Sequence, residues 1–98
     1  MERVLISGGS RGIGAALVRA FVQNGDAVAF LYRESKAAAD AVSAETGAVA
    51  IQCDVGDPAA VKTAVAAATA ALGGAPTVLV NNAGVSHIGL SRDMTDAD

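Results

Sequence analysis

The nonapeptide Ile6-Ser7-Gly8-Gly9-Ser10-Arg11-Gly12-Ile13-Gly14 constrains this chain more than any other stretch. It follows a short apolar run, Val4-Leu5-Ile6. It opens a segment in which Ile13, Leu17, Ala20 and Phe21 recur at i, i+4, i+7 and i+8, the spacing of one helical face. Strand, glycine-rich turn and helix in that order make a cradle for a pyrophosphate. Glycines let the backbone turn sharply and approach a ligand closely, and the free N–H groups of the helix's first turn face the anion. Ser7, Gly8, Gly9, Ser10, Arg11, Gly12, Ile13 and Gly14 are therefore the first candidate binding residues. The alternative is a glycine turn that only packs helix on strand.

The rest of the chain alternates apolar runs with helical patterns. Strands are expected at about Val4–Ser7, Ala27–Tyr32, Ala48–Cys53 and Thr77–Val80. The Ala27–Tyr32 run is apolar throughout, as in a strand buried on both faces of a parallel sheet. The first helix runs from about Gly12 to Asn24, where Asn24-Gly25-Asp26 ends it. Ser35 is expected to cap a second helix over Lys36–Thr46, which Gly47 stops. Asp57 caps a third with Pro58 at its first position, where the missing N–H costs nothing. That helix should turn Val61, Val65, Ala68 and Leu72 inward and end at Gly73-Gly74. Strands and helices alternating over short links imply parallel strands joined by right-handed crossovers. The expected fold is α/β, a Rossmann-type doubly wound parallel sheet with strand order 3-2-1-4. Its ligand crevice lies at the carboxyl ends of strands one and four.

Composition narrows the class further. The 98 residues allow one small domain, and 52% of them are hydrophobic, at a mean hydropathy of +0.42. So apolar a short chain sits awkwardly as a self-sufficient monomer, and a homo-oligomer is expected. The net charge of −3, without any Lys/Arg cluster, excludes a nucleic-acid surface. Cys53 is the sole cysteine, so no internal disulfide forms, and no metal-ligand spacing occurs. No run approaches the ~20 apolar residues of a membrane helix. Met1-Glu2-Arg3 leads directly into a strand rather than a signal sequence. A cytoplasmic protein is the expectation. Thr95-Asp96-Ala97-Asp98 fits a capping box that announces another helix, so the chain is expected to be the N-terminal part of a longer dinucleotide-binding domain.

Cofactor choice in dinucleotide folds is decided at the end of the second strand, where an acidic residue takes the ribose hydroxyls and a basic one the 2′-phosphate. Tyr32 stands where the carboxylate of an NAD-type site would be, and Arg33 follows it. Guanidinium binds phosphate oxygens as a bidentate fork, so Arg33, with Arg11 from the glycine turn, points to NADP (NADPH). Glu34 is the competing signal for NAD; one step further into the turn, it is expected to be solvated.

Gly8, Gly12 and Gly14 read G-x-x-x-G-x-G with Ser7-Gly8 opening the turn, and Asn81-Asn82-Ala83-Gly84 follows the fourth strand. Together these motifs resemble the short-chain dehydrogenase/reductase family, and the resemblance covers all 98 residues. It implies that Asp54 accepts a hydrogen bond from the adenine amino group, with the Val55 N–H meeting the ring; by itself Asp54 reads equally as a turn residue. It also implies that Asn81, Ala83 and Gly84 belong to the cofactor site, the small residues letting the ribose lie against the backbone and the Asn81 and Asn82 amides tying the strand ends together. The family's proton donor is a Tyr activated by a Lys four residues later, helped by a Ser and an Asn, all beyond the fourth strand. No such residue is expected here, so these 98 residues alone should be inactive. Tyr32 and Lys36 match the spacing but straddle a strand end and a turn. Ser86 and His87 either line the mouth of a substrate cavity or are merely solvated. Within the family the chain looks most like 3-oxoacyl-(acyl-carrier-protein) reductases, which implies a small or carrier-bound carbonyl substrate. A reductase of a 5-aminopentanone group on a translation elongation factor, and a nucleotide-binding module without chemistry, are the alternatives.

Overall fold

The structure, a computed structural model, describes residues 1–10 and 12–82. Along them run β1 Arg3–Ser7, α1 Gly12–Gln23, β2 Ala27–Tyr32, α2 Lys36–Thr46, β3 Val49–Gln52, α3 Pro58–Leu72 and β4 Val78–Asn81. The strands form one sheet in the order β3-β2-β1-β4. All three pairings are parallel, with Val4 opposite Val28 on one side and Val78 on the other. This is the doubly wound Rossmann-type order expected from the sequence.

Successive strand residues point to opposite faces, so each central strand feeds two cores. Val4, Ile6, Val28 and Phe30 pack with Val18, Ala39 and Val42 under α1 and α2. Leu5, Ala29 and Leu31 pack with Cys53, Val61, Ala64, Ala68 and Leu72 under α3. Phe30, Leu5, Ile6 and Leu31 lose essentially all solvent contact. Each such side chain contributes about 1.5–3 kcal/mol of transfer free energy. A bidentate ion pair between Arg19 and Glu45 (2.7 and 3.1 Å) ties α1 to α2 at the surface. No helix among the described residues is long and apolar enough to cross a membrane.

The helix faces differ from the expected ones. Ile13 is 73% exposed. Ala20 is exposed, and Leu17 and Phe21 are half-buried, whereas Gly14, Ala15 and Val18 are buried. The buried face is thus centred on Gly14, Ala15 and Val18, with Leu17 and Phe21 packed half-buried against the same core, because the start of α1 lies against the Gly8 carbonyl and leaves no room for a side chain at Gly14. On α3, Val61, Ala68 and Leu72 turn inward as expected, Ala64 joins them, and Val65 packs half-buried against the same core. Asp57 caps α3 as expected, accepting from the Ala59 N–H at 3.0 Å. Ser35 stands at the N-cap of α2 but makes no side-chain capping bond. The third strand starts at Val49 rather than Ala48: the Ala48 carbonyl accepts from the Ser43 hydroxyl at 2.7 Å, and its N–H donates to Thr46 Oγ1 at 3.1 Å. The end of α2 therefore claims both polar groups of Ala48.

Candidate nucleotide-binding site

In a parallel sheet all carboxyl ends lie along one edge, and here that edge gathers the motifs. Ser7, at the end of β1, is 1% exposed. Its hydroxyl donates to Asn81 Oδ1 at 3.1 Å, with the Val80 carbonyl at a longer 3.4 Å, and accepts the Asn82 N–H at 2.9 Å. The chain then turns at Gly8, where φ is 73°, a left-handed value that glycine adopts without strain. The Gly8 and Gly9 N–H groups both donate to the Leu31 carbonyl, at 2.9 and 3.2 Å, which pins the turn to the end of β2. Gly14 packs directly against the glycine turn. A Cβ there would collide with the Gly8 carbonyl oxygen and lie 2.7 Å from Asn82 Nδ2. Asn82 Nδ2 itself donates to the Gly8 carbonyl at 3.3 Å. Turn, helix and the end of β4 are thereby held in one piece.

Beside the turn a cleft of about 300 Å³ opens between the ends of β2 and β3, lined by Gly8, Leu31, Tyr32, Arg33, Cys53, Asp54, Val55 and Gly56. That is the small end of the range for small-molecule pockets, suited to a nucleoside rather than a whole dinucleotide. Asp54 is the turn residue that was one of its two readings, its Oδ1 accepting the Gly56 N–H at 3.0 Å, and it also lines the cleft. Arg33 occupies the rim, its Nη2 3.9 Å from Asp54 Oδ2 and its Nε 3.8 Å from Glu34 Oε2. Glu34, expected to be only solvated, therefore has a charged neighbour. Cys53 is buried in the cleft wall, and burial, then the charges of Asp54 and Asp57, push its thiol pKa up. It remains a protonated, unreactive thiol at neutral pH.

Of the residues singled out in the sequence, the structure brings Ser7, Gly8, Gly9, Gly14 and Asn81 together at the turn, and Arg33, Asp54 and Val55 around the adjoining cleft. Ser10 is half-buried in the turn, while Gly12 (φ 57°) and Ile13 open α1 on its exposed side. Arg11, Ala83, Gly84, Ser86, His87 and the Thr95–Asp98 capping pattern lie outside the described residues. Tyr32 ends β2 and Lys36 begins α2, so the pair shares no helix face. The Lys36 ammonium engages Asp40 at 2.8 Å. The amides of Asn81 and Asn82 tie the strand ends together, as the motif implied, with Asn82 reaching back to Gly8, whereas Cys53 as a cleft wall was passed over.

The order of the sheet and the position of turn and cleft define a dinucleotide-binding class of α/β protein. A family model described as short chain dehydrogenase matches residues 2–98, and the chain belongs to that family. It is 45% identical over 97 residues to the cyclic-di-GMP-binding biofilm dispersal mediator protein of Escherichia coli strain K12, covering 99% of this chain and 39% of that protein. It is 46% identical over 94 residues to the 3-alpha-(or 20-beta)-hydroxysteroid dehydrogenase of Mycobacterium tuberculosis H37Rv, covering 91% of this chain and 34% of that protein. The crystal structure of a short chain dehydrogenase from Burkholderia cenocepacia J2315 in complex with NADP superposes with a TM-score of 0.80 at 43% identity, over 98% of this chain and 42% of that one. The chain thus spans well under half the length of the relatives it matches.

Proposed function

We propose that this chain forms the nucleotide-binding part of an NADPH-dependent carbonyl reductase. The observation that carries this reading is one continuous surface in which the Gly8 turn adjoins a nucleoside-sized cleft with the Arg33 guanidinium at its rim. The turn from Ser7 through Gly9, Ser10, Gly12 and Ile13 to Gly14 takes the pyrophosphate. Arg33 and Arg11 take the 2′-phosphate, Asp54 accepts from the adenine amino group beside Val55, and Asn81, Ala83 and Gly84 receive the ribose. The Burkholderia structure with NADP supports the cofactor. The substrate is a small or carrier-bound carbonyl compound reduced by a cytoplasmic homo-oligomer. Motif resemblance favours a 3-oxoacyl group on acyl carrier protein, with the 5-aminopentanone group as the second choice. Arg33→Ala in the full-length protein tests the reading. Losing a charge-assisted bond to phosphate costs about 1.5–3 kcal/mol, so NADPH should weaken about ten- to 150-fold while NADH changes little. Equal losses for both cofactors would remove Arg33 from the phosphate.

A second reading, a nucleotide-binding regulator without turnover, is favoured by the likeness to the cyclic-di-GMP-binding mediator protein of Escherichia coli. Asp54 and Arg33 stand side by side in the cleft lining, 3.9 Å apart, and offer a purine edge a carboxylate that accepts from amino groups and a guanidinium that donates to N7 and O6 of guanine. Displacement of NADPH by cyclic-di-GMP, with no carbonyl reduction by the full-length protein, would select this reading.

A further inference from the structure

The nucleoside cleft has one wall from the end of β2, with Tyr32 and Arg33, and another from the loop after β3, with Asp54 and Val55. The rung that closes the β2–β3 ladder is the Cys53 N–H, which donates to the Tyr32 carbonyl at 2.8 Å. Beyond that rung the two walls are no longer paired as strands. One hydrogen bond still ties them. Gln52, opposite Tyr32 at the end of β3, donates from Nε2 to the Arg33 carbonyl at 3.1 Å. Among the described residues no other hydrogen bond runs from Arg33 or Glu34 to β3 or to the loop that follows it. The Arg33 guanidinium stands 3.9 Å from Asp54, too far for such a bond. The Glu34 carbonyl turns back into its own loop, accepting the Lys36 N–H at 2.9 Å. Gln52 itself is not part of the cleft lining. Its amide acts on the position of a wall and not on a ligand.

We infer that Gln52 is a positioning residue of this cleft: by tying the Arg33 carbonyl to the end of β3 it sets how far apart the two walls stand, and so how tightly a nucleoside is held between them. The inference rests on the reading of the cleft as an adenosine pocket. It concerns the width of that pocket and holds for a nucleoside that carries no phosphate. A wall already fixed in the free protein does not have to be ordered when the ligand enters, and the saved entropy appears as affinity. The bond is exposed to water and lies outside both cores, so its loss loosens the rim and leaves the sheet intact.

The test is NMR titration of the full-length protein with adenosine, an uncharged probe, comparing wild type, Gln52→Met and Gln52→Lys. Methionine keeps the length of the side chain and removes the donor; lysine keeps the length and restores a donor. Gln52→Met should weaken adenosine about three- to tenfold, the range of one ordinary hydrogen bond, and Gln52→Lys should stay within about twofold of wild type. Both variants should resist urea as well as the wild type does, as surface substitutions outside the core usually do. Wild-type affinity in Gln52→Met, or an equal loss in Gln52→Lys, overturns the role of Gln52 and leaves the nucleoside reading standing. A variant that loses stability in place of affinity ties Gln52 to the fold and overturns the inference too. Failure of the wild type to bind adenosine overturns the reading of the cleft, and the inference with it.

Discussion

Replacing Gly14 by alanine should uncouple nucleotide binding from the fold. The new Cβ would fall inside the contact distance of the Gly8 carbonyl and 2.7 Å from Asn82 Nδ2. Gly8 has little room to retreat, because its N–H is held by the Leu31 carbonyl at 2.9 Å. Overpacking of this kind costs about 1–3 kcal/mol. Breaking the Asn82–Gly8 bond adds about 1 kcal/mol. Alanine returns about 1 kcal/mol through its better helix propensity. The balance is a loss of about 2 kcal/mol, relieved in part by the turn shifting away from α1. A nucleotide needs the turn where it was, so binding reimposes the strain and affinity for NADPH should fall about 30-fold, at 1.4 kcal/mol per decade. Gly47→Ala is the control. It sits at the C-cap of α2 with φ at 81° and nothing within 4 Å, far from the cleft. It should lose about 1–2 kcal/mol through left-handed strain and keep its affinity. Urea denaturation and fluorescence titration with NADPH, run on both variants of the full-length protein, decide the matter. Wild-type affinity in Gly14→Ala, or a loss no larger than in Gly47→Ala, would refute the close-approach argument.

Two further predictions concern stability and association. The Glu2 backbone N–H, at 2.8 Å, and then the Asn24 amide, at 3.1 Å, hold the Asp26 carboxyl below its ordinary pKa. A depressed carboxylate stabilises fully above its unfolded pKa and loses that contribution as pH falls through the folded one. The melting-temperature difference between wild type and Asp26→Asn should therefore be largest at neutral pH and vanish in acid; a difference that persists there would exclude Asp26 as its source. Among the described residues no strand pairs with the outer edge of β4, whose four residues are all half-buried. An apolar edge without charge or proline invites pairing, so the 98-residue chain should scatter light as an associated species at micromolar concentration, and a monodisperse 9.6 kDa monomer would refute this.

The fold was legible because its signals are local and mutually consistent. Pro58 behind Asp57, Gly47 and Gly73 at left-handed helix ends, and the unbroken apolar run of β2 each specify an element without reference to the others. Which helix face turns inward was less legible. Periodicity favours the larger side chains Ile13 and Leu17; Leu17 packs half-buried on the core, but Ile13 is exposed because the tight contact with the glycine turn puts Gly14 inward. Such a preference for small residues is a tertiary effect, invisible in a hydrophobic pattern. Ser35 shows the same gap, since a capping residue type does not fix its rotamer. At the site, residue types and spacings pointed to Arg33 and Asp54. The approach of Arg33 to Asp54, 21 residues further on, depends on how β2 and β3 end side by side, for which no local pattern in the sequence speaks.

The hydrogen bond from the Asn82 N–H to the Ser7 hydroxyl joins residues 75 apart in the chain. The β1–β2 and β2–β3 pairings join consecutive strands, whereas β1 and β4 must close a loop that contains all the other elements. Closure entropy rises with loop length, about (3/2)RT ln n, so this contact is expected to be the last of the sheet to form. The glycine turn and the cleft can take shape while β4 is still loose, but Gly8 is clamped from the β4 side only once Asn82 arrives. A nucleotide that needs that clamped turn binds the finished sheet and not its precursors. By mass action it then stabilises the finished state by RT ln(1 + [L]/Kd). Added nucleotide should thereby raise the fraction of chains in which β4 is docked on β1.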